Sequence, residues 1–344
     1  MSRHAWIRTT VLSVSLLIGP WVAAASAVTV PGNYSTIQGA INAVLSGALP
    51  DGTTIDVQPG TYFENLFVWN TNRSLTVRGV GGATFTVVDA IGKGVAALSV
   101  YRATGRVVFI GLSFRHGAPP SVAGGGFVIQ ESSPSIVDCI FEFNSAIDGG
   151  GGALITSNAT FSGGTIRSNS AARFGGGVLI VSGSRPVFTR TDILSNQSGT
   201  GGPGLGNTGA GGGVNAVDSS PTFRGSHING NTSKFAAGGI FHLGTYSSPY
   251  GRSMLVVEDT EVADNVSNKF SPGDNPPEGG GIHVEDNATA TLTRAKILRN
   301  SAGTGGGLNT YRGRYDIYDS VIDSNIANIG FGGGVAASSN NPAP

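Results

Sequence analysis

Residues 279–300 read GGGIHVEDNATATLTRAKILRN, and most of that phrase is restated along the chain. An apolar residue is followed five positions on by a second apolar residue, and three further on by asparagine. The triples are Ile136/Phe141/Asn144, Phe161/Ile166/Asn169, Phe188/Ile193/Asn196, Phe223/Ile228/Asn231, Val257/Val262/Asn265, Leu292/Ile297/Asn300 and Ile317/Ile322/Asn325. Ser or Ala follows each asparagine within two residues. A glycine run then opens the next unit, ending at Gly126, Gly152, Gly177, Gly213, Gly239, Gly281, Gly307 and Gly334. Most of these intervals are 25 to 27 residues, but 177–213 and 239–281 are longer. Their extra residues, in 197–210, 244–251 and 268–278, are rich in Gly, Pro and Ser and are expected to loop out of a regular body.

A period near 25 residues suits a leucine-rich repeat, a helical repeat or a coil of a β-solenoid. The units hold too much glycine and β-branched residue for helices, and they lack leucine-rich spacing. Alternation remains: after Gly281, Ile282 and Val284 fall on one side and His283 and Glu285 on the other. With TATLT and AKILR following, each unit reads as three short strands, one coil of a parallel β-helix, an all-β class. One coil cannot bury its inward side chains alone, so stacking must build the core. Asn144, Asn169, Asn196, Asn231, Asn265, Asn300 and Asn325 are expected to form a structural ladder from coil to coil. The residue three after each opening apolar one (Cys139, Gly164, Thr191, Ser226, Thr260, Ala295 or Ser320) is small, as a cramped inward bend requires.

Composition agrees with that reading. Glycine supplies 55 of 344 residues, and Lys+Arg and Asp+Glu each total 21, so the net charge is zero. No basic footprint for nucleic acid is present. Arg3 and Arg8 precede an apolar stretch from Val11 to Val22 that is too short to span a bilayer, and Ala25-Ser26-Ala27 resembles a cleavage site. Residues 1–27 are therefore expected to be a signal peptide and 28–344 one exported domain: an amino-terminal cap over 28–54, coils over 55–338 and a tail over 339–344. No later segment is long and apolar enough to span a membrane. Cys139, the lone cysteine, is expected to be a buried filler. Within the cap, Ser35 is expected to open a short helix with Ile37, Ile41, Val44 and Leu45 on one face.

The opening of the domain resembles the pectin-lyase-like right-handed β-helix superfamily through Thr36-Ile37-Gln38, Ala40-Ile41, Ile55-Asp56-Val57, Pro59-Gly60-Thr61-Tyr62 and Glu64-Asn65. Phe141 to Asn144 and Gly151 to Leu154 look like the F-x-x-N and G-G-A-[ILV] motifs of polymorphic outer-membrane-protein repeats. These residues build coils and turns, so the resemblance implies a fold, the right-handed form of the parallel β-helix, more than an activity. Enzymes of the superfamily act on acidic polysaccharides, often with Ca²⁺. The local motifs of its methylesterases and polygalacturonases are absent, whereas lyase ligands come from separate coils and leave no local signature.

Two candidate sites follow. Glu258, Asp259, Glu261 and Asp264 form the densest acidic cluster and the candidate Ca²⁺ ligands. Asn215, Phe241, His283 and Asn309 are expected at equivalent outward positions on successive coils, with Glu285, Tyr311, Arg312 and Arg314 nearby. Of these, Asn215, His283, Glu285, Asn309, Tyr311 and Arg312 are the candidate glycan contacts. His242 is expected to pack in the wall. Gly199-Thr200-Gly201-Gly202-Pro203-Gly204 fits a dinucleotide fingerprint only as a string, because it follows no βαβ pattern. The expected function is an exported or surface-bound repeat protein, adhesin-like and without a cofactor, that binds an extracellular polysaccharide or a surface protein. The alternatives are a lyase or epimerase on acidic glycans, with Ca²⁺, and a fragment of a larger adhesin or autotransporter passenger.

Overall fold

The computed structural model describes residues 27–120, 123–201, 209–268 and 277–338. The expected leader, the middles of the two longest insertions and the tail from 339 lie outside those residues. The described chain winds into a parallel β-helix of four parallel sheets with 11, 10, 10 and 7 strands, in which neighbours come from successive coils. One coil shows the pattern. A strand after the glycine run, Ile282–Asp286, is followed by Ala288–Thr293, Lys296–Leu298 and the two-residue Ser301–Ala302. The last adds to the expected three strands: the Ser or Ala after each asparagine pairs with its counterpart to make the seven-stranded sheet.

The triples are in register throughout. Ile136 pairs with Phe161, Phe161 with Phe188, and Phe188 with Phe223. The second positions run Phe141, Ile166, Ile193, Ile228 in the same way. Both columns face a single core that runs from Val28 to Leu308. The phenylalanines stack within it, Phe161 on Phe188 at 4.6 Å and Phe188 on Phe223 at 4.9 Å between centroids. Of the small bend residues Cys139, Thr191, Ser226, Thr260 and Ala295 are buried, and Gly164 and Ser320 half-buried; Cys139 is 3% exposed, and desolvation pushes its thiol up to about 12.

The asparagine ladder is continuous from Asn144 to Asn325. At its start, Asn144 Nδ2 donates to Asn169 Oδ1 at 3.0 Å, and Asn169 Nδ2 donates in turn to Asn196 Oδ1 at 2.9 Å and to Phe141 O at 3.0 Å. Asn231 repeats the arrangement: its backbone N–H and Nδ2 donate to Asn265 Oδ1 at 2.9 and 3.0 Å, and Nδ2 also donates to Ile193 O at 2.9 Å. Its own Oδ1 accepts from Asn196 N and Nδ2 at 2.9 and 3.0 Å. Each amide thus satisfies backbone groups in a buried corner where water cannot. Asn144, Asn169, Asn196, Asn231, Asn265 and Asn300 are all buried, Asn169 being 2% exposed, so these rungs belong to the core and offer nothing to a ligand. The residue before each asparagine has a positive φ, from +52° at Arg299 to +65° at Gly230, the left-handed turn that swings the asparagine inward.

A glycine column lies against this ladder. A Cβ on Gly281 would fall 2.6 Å from Gly307 O and 3.0 Å from Asn300 Nδ2. The equivalent residue in the 149–152 run is Gly151, where a Cβ would fall 2.9 Å from Asn169 Nδ2. It is not Gly152, as position in the run suggests, because Gly152 pairs with Phe127 and Val178 as a strand residue. Gly152 is small because a Cβ there would run into the Phe127 ring.

The amino-terminal end is closed by helix Ile37–Leu45, which buries Ile37, Ala40, Ile41 and Val44. Its N-cap is Thr36, one residue beyond the expected Ser35, with Thr36 Oγ1 accepting from Gly39 N at 3.0 Å. Glu64 accepts from the N–H groups of Ile37 and Gln38 at 3.0 and 2.9 Å, an anion at the positive helix end. The Gln38 amide pairs with the backbone N–H and C=O of Phe67 at 2.7 and 2.9 Å, so it occupies the edge of the first strand of the sheet that follows the glycine runs.

Candidate functional site

The outer face of the glycine-led sheet carries two rows of side chains. Asn215, Phe241, His283 and Asn309 belong to the inner of these rows, in direct register as expected. They point away from the core, yet Asn215 is 3%, His283 2% and Asn309 2% exposed. Each coil's glycine run folds back over the row. Gly279 and Gly305 lie at φ +63° and +62°, and a Cβ on either would come within 2.8 Å of His283 Cβ or 2.7 Å of Asn309 Cβ. A large side chain cannot share that space, so the turning residue is glycine here and the small Ala237 (φ +54°) before Ile240, and the row is covered. The expectation that Asn215, His283 and Asn309 offer themselves to a glycan is corrected: alternation assigns a side of the strand but says nothing of a strap laid across it.

Under the strap these residues satisfy one another. Asn309 Nδ2 lies 3.1 Å from Glu278 Oε2 and 3.0 Å from His283 Nδ1. His283 stacks on Phe241 at 5.3 Å and sits 3.5 Å from Glu278 and 3.6 Å from Glu285. Asn215 donates to Ala210 O at 3.5 Å, two coils away from the His283 group. Glu278, which sequence reasoning left in an insertion, is the residue that ties the group to the strap.

The outer row lies two residues further along each strand and is not covered. It runs from Trp69 and Tyr101 through Gln130, Ile155, Val181, Val217 and Leu243 to Glu285 and Tyr311, each partly exposed. Eight steps of about 4.8 Å make a stripe of roughly 38 Å. At its carboxy-terminal end the Arg312 guanidinium lies 4.7 Å from the Tyr311 ring centroid and 3.9 Å from Asp286. Tyr311, Arg312 and Glu285 are therefore grouped on the surface, as expected.

At the amino-terminal end both rows are open. Phe67 is 38% and Trp69 49% exposed. With Tyr101 they form a three-ring cluster: Phe67 to Trp69 5.6 Å, Trp69 to Tyr101 5.5 Å and Phe67 to Tyr101 6.0 Å. The signal for it was present, since Leu66 and Val68 alternate with Phe67 and Trp69 and face the core. Elsewhere, the 244–251 insertion lays Tyr250 over Gly183 and makes an open depression with Arg185, Asp218 and Arg252.

The acidic cluster does not converge. Asp259 and Arg294 occupy the same left-handed corner on successive coils, at φ +48° and +50°, as do Asp264 and Arg299 at +56° and +52°. Arg294 binds Asp259 at 2.6 Å and Glu258 at 2.9 Å, and Arg299 binds Asp264 at 2.8 Å. The Arg294 hydrogen bond holds the Asp259 carboxyl below its usual range. Glu261 accepts from Asn229 Nδ2 at 2.9 Å. Stacking has placed a cation above each corner anion, so Glu258, Asp259, Glu261 and Asp264 do not fit a Ca²⁺ ion. Among the described residues no three His, Cys, Asp or Glu side chains are grouped to hold a metal, and no helix is long and apolar enough to cross a membrane.

The chain is similar in structure to carrot pectin methylesterase (13% identity, TM-score 0.43, 94% of this chain and 90% of that one). It is also similar to the pectate lyase Pel9A (14%, 0.45, 92% and 76%) and rice weevil pectin methylesterase (14%, 0.38, 87% and 88%). No curated protein matches the chain. Residues 96–322 match the family described as the right-handed beta helix region. With its strands all parallel and its coils in register, the chain belongs to that right-handed β-helix family.

Proposed function

We propose that this is an exported β-helix repeat protein that presents the outer face of its glycine-led sheet to a glycan or to another protein, without catalysing a reaction on it. The observation that carries the reading is the stripe itself: nine coils each offer one partly exposed side chain in line, and the group is aromatic at both ends and largely aliphatic between. A continuous, partly apolar surface of that length is a contact surface rather than ordinary wetted wall. The carboxylates that a lyase would need are engaged by arginines on neighbouring coils.

The test is retention on a glycan array and on a panel of surface proteins, with Ile155→Glu and Val217→Glu placing charge in the middle of the stripe. Loss of retention in both variants is expected. Undiminished retention removes this face from consideration. Release of unsaturated uronate from pectate, sensitive to chelator, would replace the reading with the lyase one.

A further inference from the structure

We infer that the cluster Phe67, Trp69 and Tyr101 is a stacking subsite for a neutral sugar chain. The inference deepens the surface-binding reading and rests on it. Three observations converge. First, the glycine strap that hides the inner row further along is absent from this coil: Phe67 is 38% exposed, whereas Val128 and Ala153 in the same row are 4% and 0%. Two rows of outward side chains are therefore open together here.

Second, the rings are held in place. Phe67 and Trp69 project from one strand, Tyr101 pairs with Trp69 in direct register, and the Gln38 amide clamps the backbone of Phe67. Flat rings fixed at 5.5 to 6.0 Å bind the C–H face of a pyranose with little ordering cost. Third, the sheet face next to the rings is polar and its adjacent charges are paired. The next residue in the row is Gln130, and the nearby Arg102 and Glu131 neutralise each other at 3.0 Å. An acidic polysaccharide would need an unpaired cation at this place, and a hydroxylated neutral one needs only amides and rings. Trp69 and Tyr101 are one coil apart, so the sugar chain runs along the solenoid axis and continues onto Gln130.

Residues 28–344 contain one tryptophan, Trp69, because the other two are Trp6 and Trp21. Emission of the exported protein therefore reports on this cluster alone. Cellohexaose or xylohexaose is expected to shift Trp69 emission to the blue, and trigalacturonate to leave it unchanged. By calorimetry Trp69→Ala and Tyr101→Ala should each weaken binding about tenfold, while Tyr246→Ala, an exposed aromatic on a distant insertion, should not. Circular dichroism of each variant checks that the coils persist. If emission ignores the neutral oligosaccharides while array retention persists in Trp69→Ala, the subsite is refuted and the surface reading survives. A response to trigalacturonate overturns the neutral ligand. Absence of glycan binding in every assay overturns the subsite, and loss of array retention for proteins as well overturns the surface reading.

Discussion

His242 should make this protein acid-labile. Its ring points into the core between Ala216 on one coil and Val284 on the next, is 0% exposed, and neither nitrogen makes a hydrogen bond of good geometry among the described residues. Desolvation lowers its pKa from 6.5 to about 4, and the nearby Ser253 backbone offsets only part of that. The unfolded chain takes up a proton as the pH falls below 6.5, while the folded chain resists until about 4. Over that window the unfolded state binds more protons, so stability falls as the pH falls and the loss is complete near pH 4. At 1.36 kcal/mol per pH unit the gap corresponds to ~3 kcal/mol. Urea unfolding at pH 7.5 and at pH 4 measures it. Carboxylates held low by partners, such as Asp259, lose most of their contribution only below this window, and the difference from His242→Val, which fits between Ala216 and Val284, isolates the imidazole. The variant should match or exceed the parent at pH 7.5, since a poorly satisfied polar ring has been removed, and should lose ~3 kcal/mol less on acidification. Equal losses in parent and variant would refute the argument that burial keeps this imidazole neutral.

Asn231→Ala strands Asn196 N and Ile193 O in a corner that is 0% exposed, and should cost about 2–4 kcal/mol in denaturant unfolding. Asn325→Ala, at the partly exposed end of the ladder, should cost about 1 kcal/mol. Neither added Ca²⁺ nor chelator should move the melting midpoint, because the corner carboxylates already have arginine partners; a calcium-dependent rise would show that Glu258, Asp259, Glu261 and Asp264 reorganise around an ion. His283 should resist diethylpyrocarbonate in the native protein and become reactive in Gly279→Ala, whose Cβ collides with it at 2.8 Å. Rapid modification of the parent would return the inner row to the surface.

The core was legible because it obeys a rule that the repeat states openly. A fixed spacing of five and three residues places Phe188, Ile193 and Asn196 in columns, and the stacked columns account for the register, the phenylalanine stack and the ladder. Errors entered where one residue type serves two roles. Gly151 and Gly152 look alike in the sequence, but one makes room for Asn169 and the next coil and the other for Phe127. Ser35 and Thr36 are both cap residues by chemistry, and only the Glu64 contact to Ile37 and Gln38 fixes where the helix begins. The inner row failed for a tertiary reason. Period two gives the outward side of His283 correctly, whereas its burial depends on Gly279, four residues earlier, turning back across it.

The same straps explain why the site lies where the repeat is least regular. Interior coils with a left-handed residue before the strand, glycine in most and Ala237 before Ile240, give up the inner row to packing and keep one partly exposed residue for contact. The opening coil, with no left-handed residue there, keeps two. The opening coil, whose sequence departs furthest from the repeated phrase, is thus free to carry large aromatic side chains outward, and it does so at Phe67 and Trp69. In a solenoid the repeated residues are committed to holding neighbours together, so recognition must fall to positions where the period breaks or to the alternate side chains it leaves unspecified. The arginine and carboxylate corners illustrate the opposite case: Asp259 and Arg294 occupy the same repeat position, one coil apart, and stacking alone makes them partners. A charge at a repeating position is used internally, whereas the rings at Phe67, Trp69 and Tyr101 pack on one another and keep part of their surface turned to the solvent.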